Sequence, residues 1–325
     1  MNNNNTSSAN TKRIAILCNP FAGKGQALKM AEEAEQFAQK RAWQVVLNTQ
    51  STHAGHIENG LSAQLTNAID LVILIGGDGT LRELITGLRK HKVTLEIAFI
   101  PMGNANVVAR ELGIPLNPRK ALNMLDSSTT TAVDIGILTP EHEAPMIFLA
   151  MLEIGFGAKI VHMVNQLRLG KLQRLYQFWG DLVYALAGIL ALIKTLFDPH
   201  SLPIKVESEK ALSVSTHIIL ANMKTYAKGW SLTPEANYQD GLLDLAYNKT
   251  GSQLATLTAF FNATKQKPSP DSRMGYLQLK EVRLSGSNKV FMQLDGDPVF
   301  FSGAARVSIE KAAFIIHQPN IAKAL

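Results

Sequence analysis

Three glycine-rich stretches in this 325-residue chain combine residue types that can meet phosphate, and each sits where a strand pattern gives way to a helix pattern. Gly76-Gly77-Asp78-Gly79-Thr80 follows the fully apolar run 71–75 (LVILI) and leads straight into a helical pattern. Glycines remove the Cβ atoms that would hold a phosphate away from backbone N–H groups, and a new helix adds unsatisfied donors and a positive dipole end. A tight strand-to-helix turn without a ligand is the alternative. Thr80 and Glu83 have capping-box spacing, which would start the helix there. Asn19-Pro20-Phe21-Ala22-Gly23-Lys24-Gly25 occupies the same kind of position, but it lacks the upstream glycine and the Ser or Thr of a Walker loop. Pro101-Met102-Gly103-Asn104-Ala105-Asn106 follows the next strand and precedes a helix predicted over 107–112. Three such loops at successive strand ends, where open parallel sheets bind ligands, point to one nucleotide crevice.

Phosphoryl transfer needs the phosphates held, their charge neutralised, and a base beside the attacking hydroxyl. Asp295 and Asp297 flank a glycine in LDGDP and, as a strand-turn pair, would project to one side; an ordinary turn is the alternative. Asp240-Gly241, ahead of a strand over 242–247, is open to the same two readings. The eight histidines show no HxxxH or HExxH spacing, so catalytic zinc has no support, and no nucleophile elbow is present.

The elements that must position these residues fall into two groups. Strand patterns at 13–18, 43–48, 71–75 and 97–100 alternate with helical patterns at 25–41, 57–67 and up to residue 90, which implies a parallel sheet covered on both faces. From about residue 131 the pattern changes to alternating runs at 131–138, 146–154, 203–207, 213–222, 242–247, 276–285, 289–294 and 305–310, interrupted by helices over 158–197 and 253–264. These predict antiparallel pairing in a β-sandwich. The expected fold is α/β plus β: a disordered tail at 1–11, a doubly wound parallel-sheet nucleotide domain at 12–134, joined by a candidate returning strand within 312–325, and a β-sandwich domain at 135–311.

Composition narrows the classes further. With 46% hydrophobic and 18% charged residues the chain can bury full-sized cores, and a formal charge of +6 suits an anionic partner or is simply a solubility feature. One cysteine, Cys18, excludes an intramolecular disulfide and multi-cysteine metal modules. The polar opening has no secretory-signal pattern, and the apolar run 182–197 contains Lys194 and falls short of the ~20 residues a spanning helix needs. Arg168, Lys171 and Arg174 lead into Tyr176, Phe178, Trp179 and Tyr184 beside that run, which reads as an interfacial element or a core helix. Scattered basic residues form no nucleic-acid module.

The sequence resembles the diacylglycerol kinase catalytic-domain family, which includes bacterial soluble lipid kinases and the sphingosine and ceramide kinases. The likeness runs from Lys12 to His317 and rests on NPFAGKG, GGDGTLRELITGL, PMGNANVVARELGIP, GFGA, DGLLDL and LDGDP. GGDGT alone is shared with NAD kinases and nearly with phosphofructokinases. The resemblance implies ATP in a cleft between the two domains, contacted by Asn19, Gly23, Gly76, Gly77, Asp78, Gly79 and Thr80, with Pro20, Leu81, Arg82 and Asn104 in the same loops. It implies the same for Ser51 of SxxxGH, with Thr52 as the alternative. It implies Asp295 as general base, Asp297 as nucleotide or metal partner, and a structural Mg2+ held by Asp240 with the carbonyls of Asn237 and Leu242. Three departures stand out: Gly103-Asn104 for the usual Gly-Thr, Arg82 for an Asn, and Asp297 for the Glu of DGE. The expected activity is ATP- and Mg2+-dependent phosphorylation of a hydroxyl on a diacylglycerol-like or sphingoid-like lipid. The alternatives are an NAD kinase, or a nonenzymatic nucleotide- or lipid-binding regulator. Expected partners are a lipid substrate reached by peripheral membrane contact and no nucleic acid, with a homodimer left open; the expected location is cytoplasmic with transient membrane association.

Overall fold

Fully apolar strands can only be stable when both faces of their sheet are covered, and the first half of the chain meets that demand with helices. The computed structural model describes residues 11–169, 204–209, 212–225, 231–252, 255–256, 258–259, 273–286 and 289–320. The contacts divide the chain into two units, one comprising residues up to Ala132 together with those from Phe314 onward, the other Val133–Ala313.

The first unit contains β1 (Arg13–Cys18), α1 (Ala27–Gln39), β2 (Gln44–Gln50), β3 (Leu71–Gly76), α2 (Asp78–His91), β4 (Glu96–Pro101), α3 (Val107–Glu111) and α4 (Pro118–Met124). The parallel order is β2-β1-β3-β4, and residues 315–316 add a parallel strand beside β4. Every residue of β3 is buried. Truncating one of its central side chains, such as Ile73→Ala, would cost about 2–5 kcal/mol. α1 buries Met30, Ala31, Ala34, Phe37 and Ala38, and α2 buries Leu81, Leu84, Ile85 and Leu88, the spacing that turns one helical face inward. The helix expected over 57–67 is one π turn, Ile57–Leu61, followed by one 3-10 turn, Ser62–Gln64. The sequence reading did not include α4, a short helix that starts on Pro118 with Asn117 accepting the Lys120 N–H at 3.1 Å.

The second unit is the expected antiparallel sandwich. β5 (Ser128–Pro140) enters it and pairs with β6 (Met146–Phe148). After β7 (Met151–Ile154) and α5 (Phe156–Leu169) come β8 (Ile204–Glu207), β9 (Leu212–Ser215), β10 (Ile218–Ala221), β11 (Leu243–Asn248), β12 (Met274–Leu279), β13 (Glu281–Ser285), β14 (Val290–Leu294), β15 (Asp297–Phe301) and β16 (Ala304–Pro319). One sheet has the order β12-β11-β10-β7-β14-β15, and β13, β8, β9 and the first part of β16 belong to the other. Their inner faces share a core that includes Leu152, Leu220, Leu245, Met292 and Phe301 from one sheet and Val206, Leu284 and Val307 from the other. Three strands read as continuous in the sequence are divided. The run 146–154 breaks at Leu149-Ala150, 213–222 breaks at Thr216-His217, and 276–285 changes sheet at Lys280. Conversely 305–310 and 312–317 form the single strand β16, bent at Ala312, whose φ is 50° and whose N–H donates to Asp134 Oδ1 at 2.7 Å. The apolar run 182–197 and most of the helix expected at 253–264 lie outside the described residues, as do Lys171 to Tyr184 beside that run.

Candidate active site

The three glycine loops of the first unit are joined by their backbones. The Asn19 N–H donates to Ile75 O at 2.9 Å, Gly23 N–H to Met102 O at 2.9 Å, and Met102 N–H to Gly76 O at 2.7 Å. Asn19 Nδ2 also donates to Thr80 Oγ1 at 3.2 Å. A Cβ added to Gly77 would stand 3.0 Å from Gly103 Cα, and one on Gly103 would stand 2.8 Å from Gly77 Cα. The two loops therefore touch backbone to backbone, and here glycine is required by the fold as well as by any ligand. Gly77 is the N-cap of α2 and supplies no side-chain cap; the helix begins at Asp78, three residues before the start that the capping-box spacing suggests. Glu83 instead accepts the Gly55 N–H at 2.9 Å.

The remaining residues of this region have distinct placements. The Asp78 carboxylate accepts the N–H groups of Val107 (3.0 Å) and Val108 (3.1 Å), tying the second loop to α3. Leu81 is a core residue, Arg82 is half-buried, and Asn104 is exposed. The third loop is closed by its last residue. Asn106, at φ 48°, accepts the Gly103 N–H and donates to Gly103 O, each at 2.9 Å. Ser51 is buried with its N–H on Cys18 O at 2.8 Å, while Thr52 Oγ1 lies 2.8 Å from His53 Nδ1, and the His53 and His56 rings stack at 5.0 Å. Burial pushes the Cys18 thiol up to about 11, so it stays protonated.

The start of α2 leaves N–H groups without intrahelical partners, the kind of donor a phosphate accepts from, while the Asn19, Gly23 and Met102 N–H groups are taken up in joining the loops. Gly23 and Gly25 have positive φ; a Cβ at Gly25 would meet nothing within 4 Å, whereas one at Gly23 would run into Met102 Cε.

In the second unit LDGDP forms a two-residue hairpin. Asp295 and Gly296 are its central residues, with φ 50° and 88°, and Asp297 opens β15. That is the Asp-Gly turn favoured where both central residues need positive φ. Asp295 and Asp297 are thus not a period-two strand pair. The Asp295 carboxylate turns onto the break between β6 and β7, where Oδ2 accepts the Leu149 N–H (2.8 Å) and Oδ1 those of Ala150 (2.8 Å) and Met151 (3.0 Å). Asp297 is exposed. The same 149–151 segment is gripped from the other side by buried Asn222, whose Nδ2 donates to Leu149 O and Asp134 O, both at 2.8 Å. The loop expected to hold magnesium is a hydrogen-bonded turn. Asp240 Oδ1 accepts the Leu242 N–H at 2.8 Å, and Asn237 O accepts the Asp240 N–H at 3.3 Å. These oxygens already serve the turn, and among the described residues no three His, Cys, Asp or Glu side chains gather in a way that could hold a metal ion. No described helix is long and apolar enough to cross a membrane.

A parallel-sheet unit with backbone-joined glycine loops at its strand ends, in a chain that also builds an antiparallel sandwich, defines a two-domain α/β plus β fold. The profile described as the diacylglycerol kinase catalytic domain matches residues 13–138, and the YegS C-terminal NAD kinase beta sandwich-like domain matches residues 150–313. The chain belongs to the family of kinases that join these two domains. It is 25% identical over 322 residues to a diacylglycerol kinase of Mycobacterium tuberculosis, covering 95% of this chain and 96% of that protein. It is 24% identical over 291 residues to a diacylglycerol kinase of Bacillus subtilis, covering 88% and 90%. A solved diacylglycerol kinase structure from Bacillus anthracis has the same fold, with a TM-score of 0.68, 18% identity, and coverage of 96% of this chain and 97% of that one.

Proposed function

We propose that this chain transfers the γ-phosphoryl group of ATP to the hydroxyl of a diacylglycerol-like lipid, with Mg2+ accompanying the nucleotide. The observation that carries the reading is the backbone-joined set of three loops at the ends of β1, β3 and β4, with Gly77 against Gly103 and the start of α2 among them. In this reading the N–H groups of the first turn of α2 bind the phosphates, and the Gly23 N–H, donating to Met102 O, holds the first loop to the third beside them. Asn19 and Thr80, hydrogen-bonded to each other, hold the first two loops in register. Asp78 acts through α3, as a positioning residue for the third loop. Magnesium bound with the nucleotide would spread and neutralise the phosphate charge.

Asp295 is assigned to receive the hydroxyl proton, and Asp297, exposed at the start of β15, to contact nucleotide or metal. A loose phosphoryl-transfer transition state asks little of the base beyond position. The three amide donors on the Asp295 carboxylate supply that fixity. The names of the relatives favour a glycerolipid acceptor over NAD. ADP release should therefore require dioctanoylglycerol and should not occur with its O-methyl ether, which lacks the attacking hydroxyl. Equal ADP release with the ether would overturn the assignment of that hydroxyl as acceptor.

A further inference from the structure

The hairpin whose turn carries Asp295 has an unusual opposite end. β14 and β15 pair so that Phe291 lies directly across from Phe300, and both residues are about half exposed, 52% and 45%. Lys289 places its ammonium 3.1 Å from the Phe300 ring centroid and 5.8 Å from that of Phe291. His162 of α5 meets the Phe291 ring edge-on at 5.1 Å. Their chain neighbours Val290, Met292 and Phe301 point into the sandwich core, so the alternation of the strands holds the two phenylalanines outward. Exposed aromatic pairs are costly in water, and on the last strand of a sheet they invite unwanted pairing, which proteins usually suppress.

We infer that this end of the β14–β15 hairpin is a membrane-contacting patch, with Phe291 and Phe300 entering the interface of an anionic bilayer and Lys289 meeting its phosphate headgroups. The inference rests on the lipid-kinase reading above. Aromatic rings beside a cation on a long apolar stem are the composition that interfacial elements use. A second copy of the chain could also cover the rings; the cation beside them is what favours an anionic bilayer. Position adds a further argument. Phe291 is four residues before Asp295 on one strand, about 13 Å at the usual rise per residue. With the rings at the depth interfacial side chains reach, roughly 5–10 Å, a hairpin standing along the bilayer normal would bring its Asp turn to headgroup level, a few ångström from the glycerol layer that carries a glycerolipid hydroxyl.

Co-sedimentation with phosphatidylcholine vesicles, with and without phosphatidylglycerol, tests this on the full chain. Moving the exposed parts of two phenylalanine rings out of water is worth roughly ten- to a hundredfold in partitioning. The Phe291→Ser, Phe300→Ser variant should lose vesicle affinity by that factor, and Lys289→Glu should lose roughly tenfold on the anionic vesicles and little on the neutral ones. Turnover on monomeric dioctanoylglycerol, which needs no bilayer, should stay within about twofold of wild type in both variants, and this also shows that they are folded. Vesicle binding equal to wild type in the double variant overturns the patch, as does a wild-type chain that does not bind vesicles. So does a shift from dimer to monomer in the double variant with vesicle binding unchanged, which would assign the rings to a second copy. Absence of turnover on dioctanoylglycerol by the wild type would instead overturn the lipid-kinase reading itself.

Discussion

Replacing Asp295 by Asn tests whether this carboxylate is a chemical group, a structural one, or both. Its two oxygens accept three backbone N–H groups, at 2.8, 2.8 and 3.0 Å. An Asn oxygen can serve Ala150 and Met151 at neutral strength, but its NH2 then faces the Leu149 N–H, donor against donor. Orphaning that N–H costs about 1–3 kcal/mol, and losing charge assistance on the other two bonds costs about 1 kcal/mol each, for a sum of roughly 3–5 kcal/mol. In a domain of this size that lowers the melting temperature by on the order of 10 °C. Loss of a positioned base should also lower turnover by roughly 10²- to 10⁴-fold at a temperature where the variant is folded, with ATP affinity little changed. Asp297→Asn is the control: the side chain is exposed, so melting should hardly move while the ATP or magnesium requirement rises. Melting of Asp295→Asn within about a degree of wild type would refute the three-bond account. Near-normal turnover at saturating ATP would refute the base.

Three further expectations follow from single contacts. Gly103→Ala would push its Cβ to 2.8 Å from Gly77 Cα and from Asn106 Oδ1, so it should weaken ATP binding and cost about 1–3 kcal/mol together; calorimetric ATP titration and thermal melting check both. Gly77→Val should not spare the fold, since Gly103 Cα lies 3.0 Å from that Cβ; a folded, wild-type-stable variant would contradict the backbone contact. Burial pushes His217 down to about 4, against a smaller opposing effect from its hydrogen bond with the Ile154 backbone, so it is neutral in the folded chain while the unfolded chain takes up a proton below about 6.5. Its contribution is therefore constant above pH 6.5 and is lost as pH falls toward 4, by about 2 kcal/mol between pH 7 and 5. Denaturant melts of His217→Gln should lack that share of the slope, and an unchanged slope would count against it.

What could be read in the sequence was what local chemistry determines. Runs such as LVILI have one stable use in a chain of this composition, a strand covered on both faces, and a glycine cluster at its end is legible because only glycine tolerates the required approach. The hairpin at LDGDP was legible only as one of two alternatives, because the deciding partners, the amides of Leu149, Ala150 and Met151, lie about 145 residues away. The same distance problem hid Asn222, which grips that segment from across the sheet, and the break of the 146–154 run that the Asp295 carboxylate accompanies. The change of sheet at Lys280 left no local trace, since both sides of it read as strand and only the distant partners β11 and β16 separate them. Asn106 had a faint signal, an Asn directly ahead of a helix, where a left-handed conformation is tolerated.

The central claim is phosphate transfer from ATP to a lipid hydroxyl. One reaction containing γ-labelled ATP, magnesium, dioctanoylglycerol, sphingosine and NAD, separated by organic extraction and chromatography, tests it most directly. Label should appear in phosphorylated glycerolipid, with NAD unlabelled. Label in NADP, or no acceptor labelled by a chain that binds ATP, would contradict it.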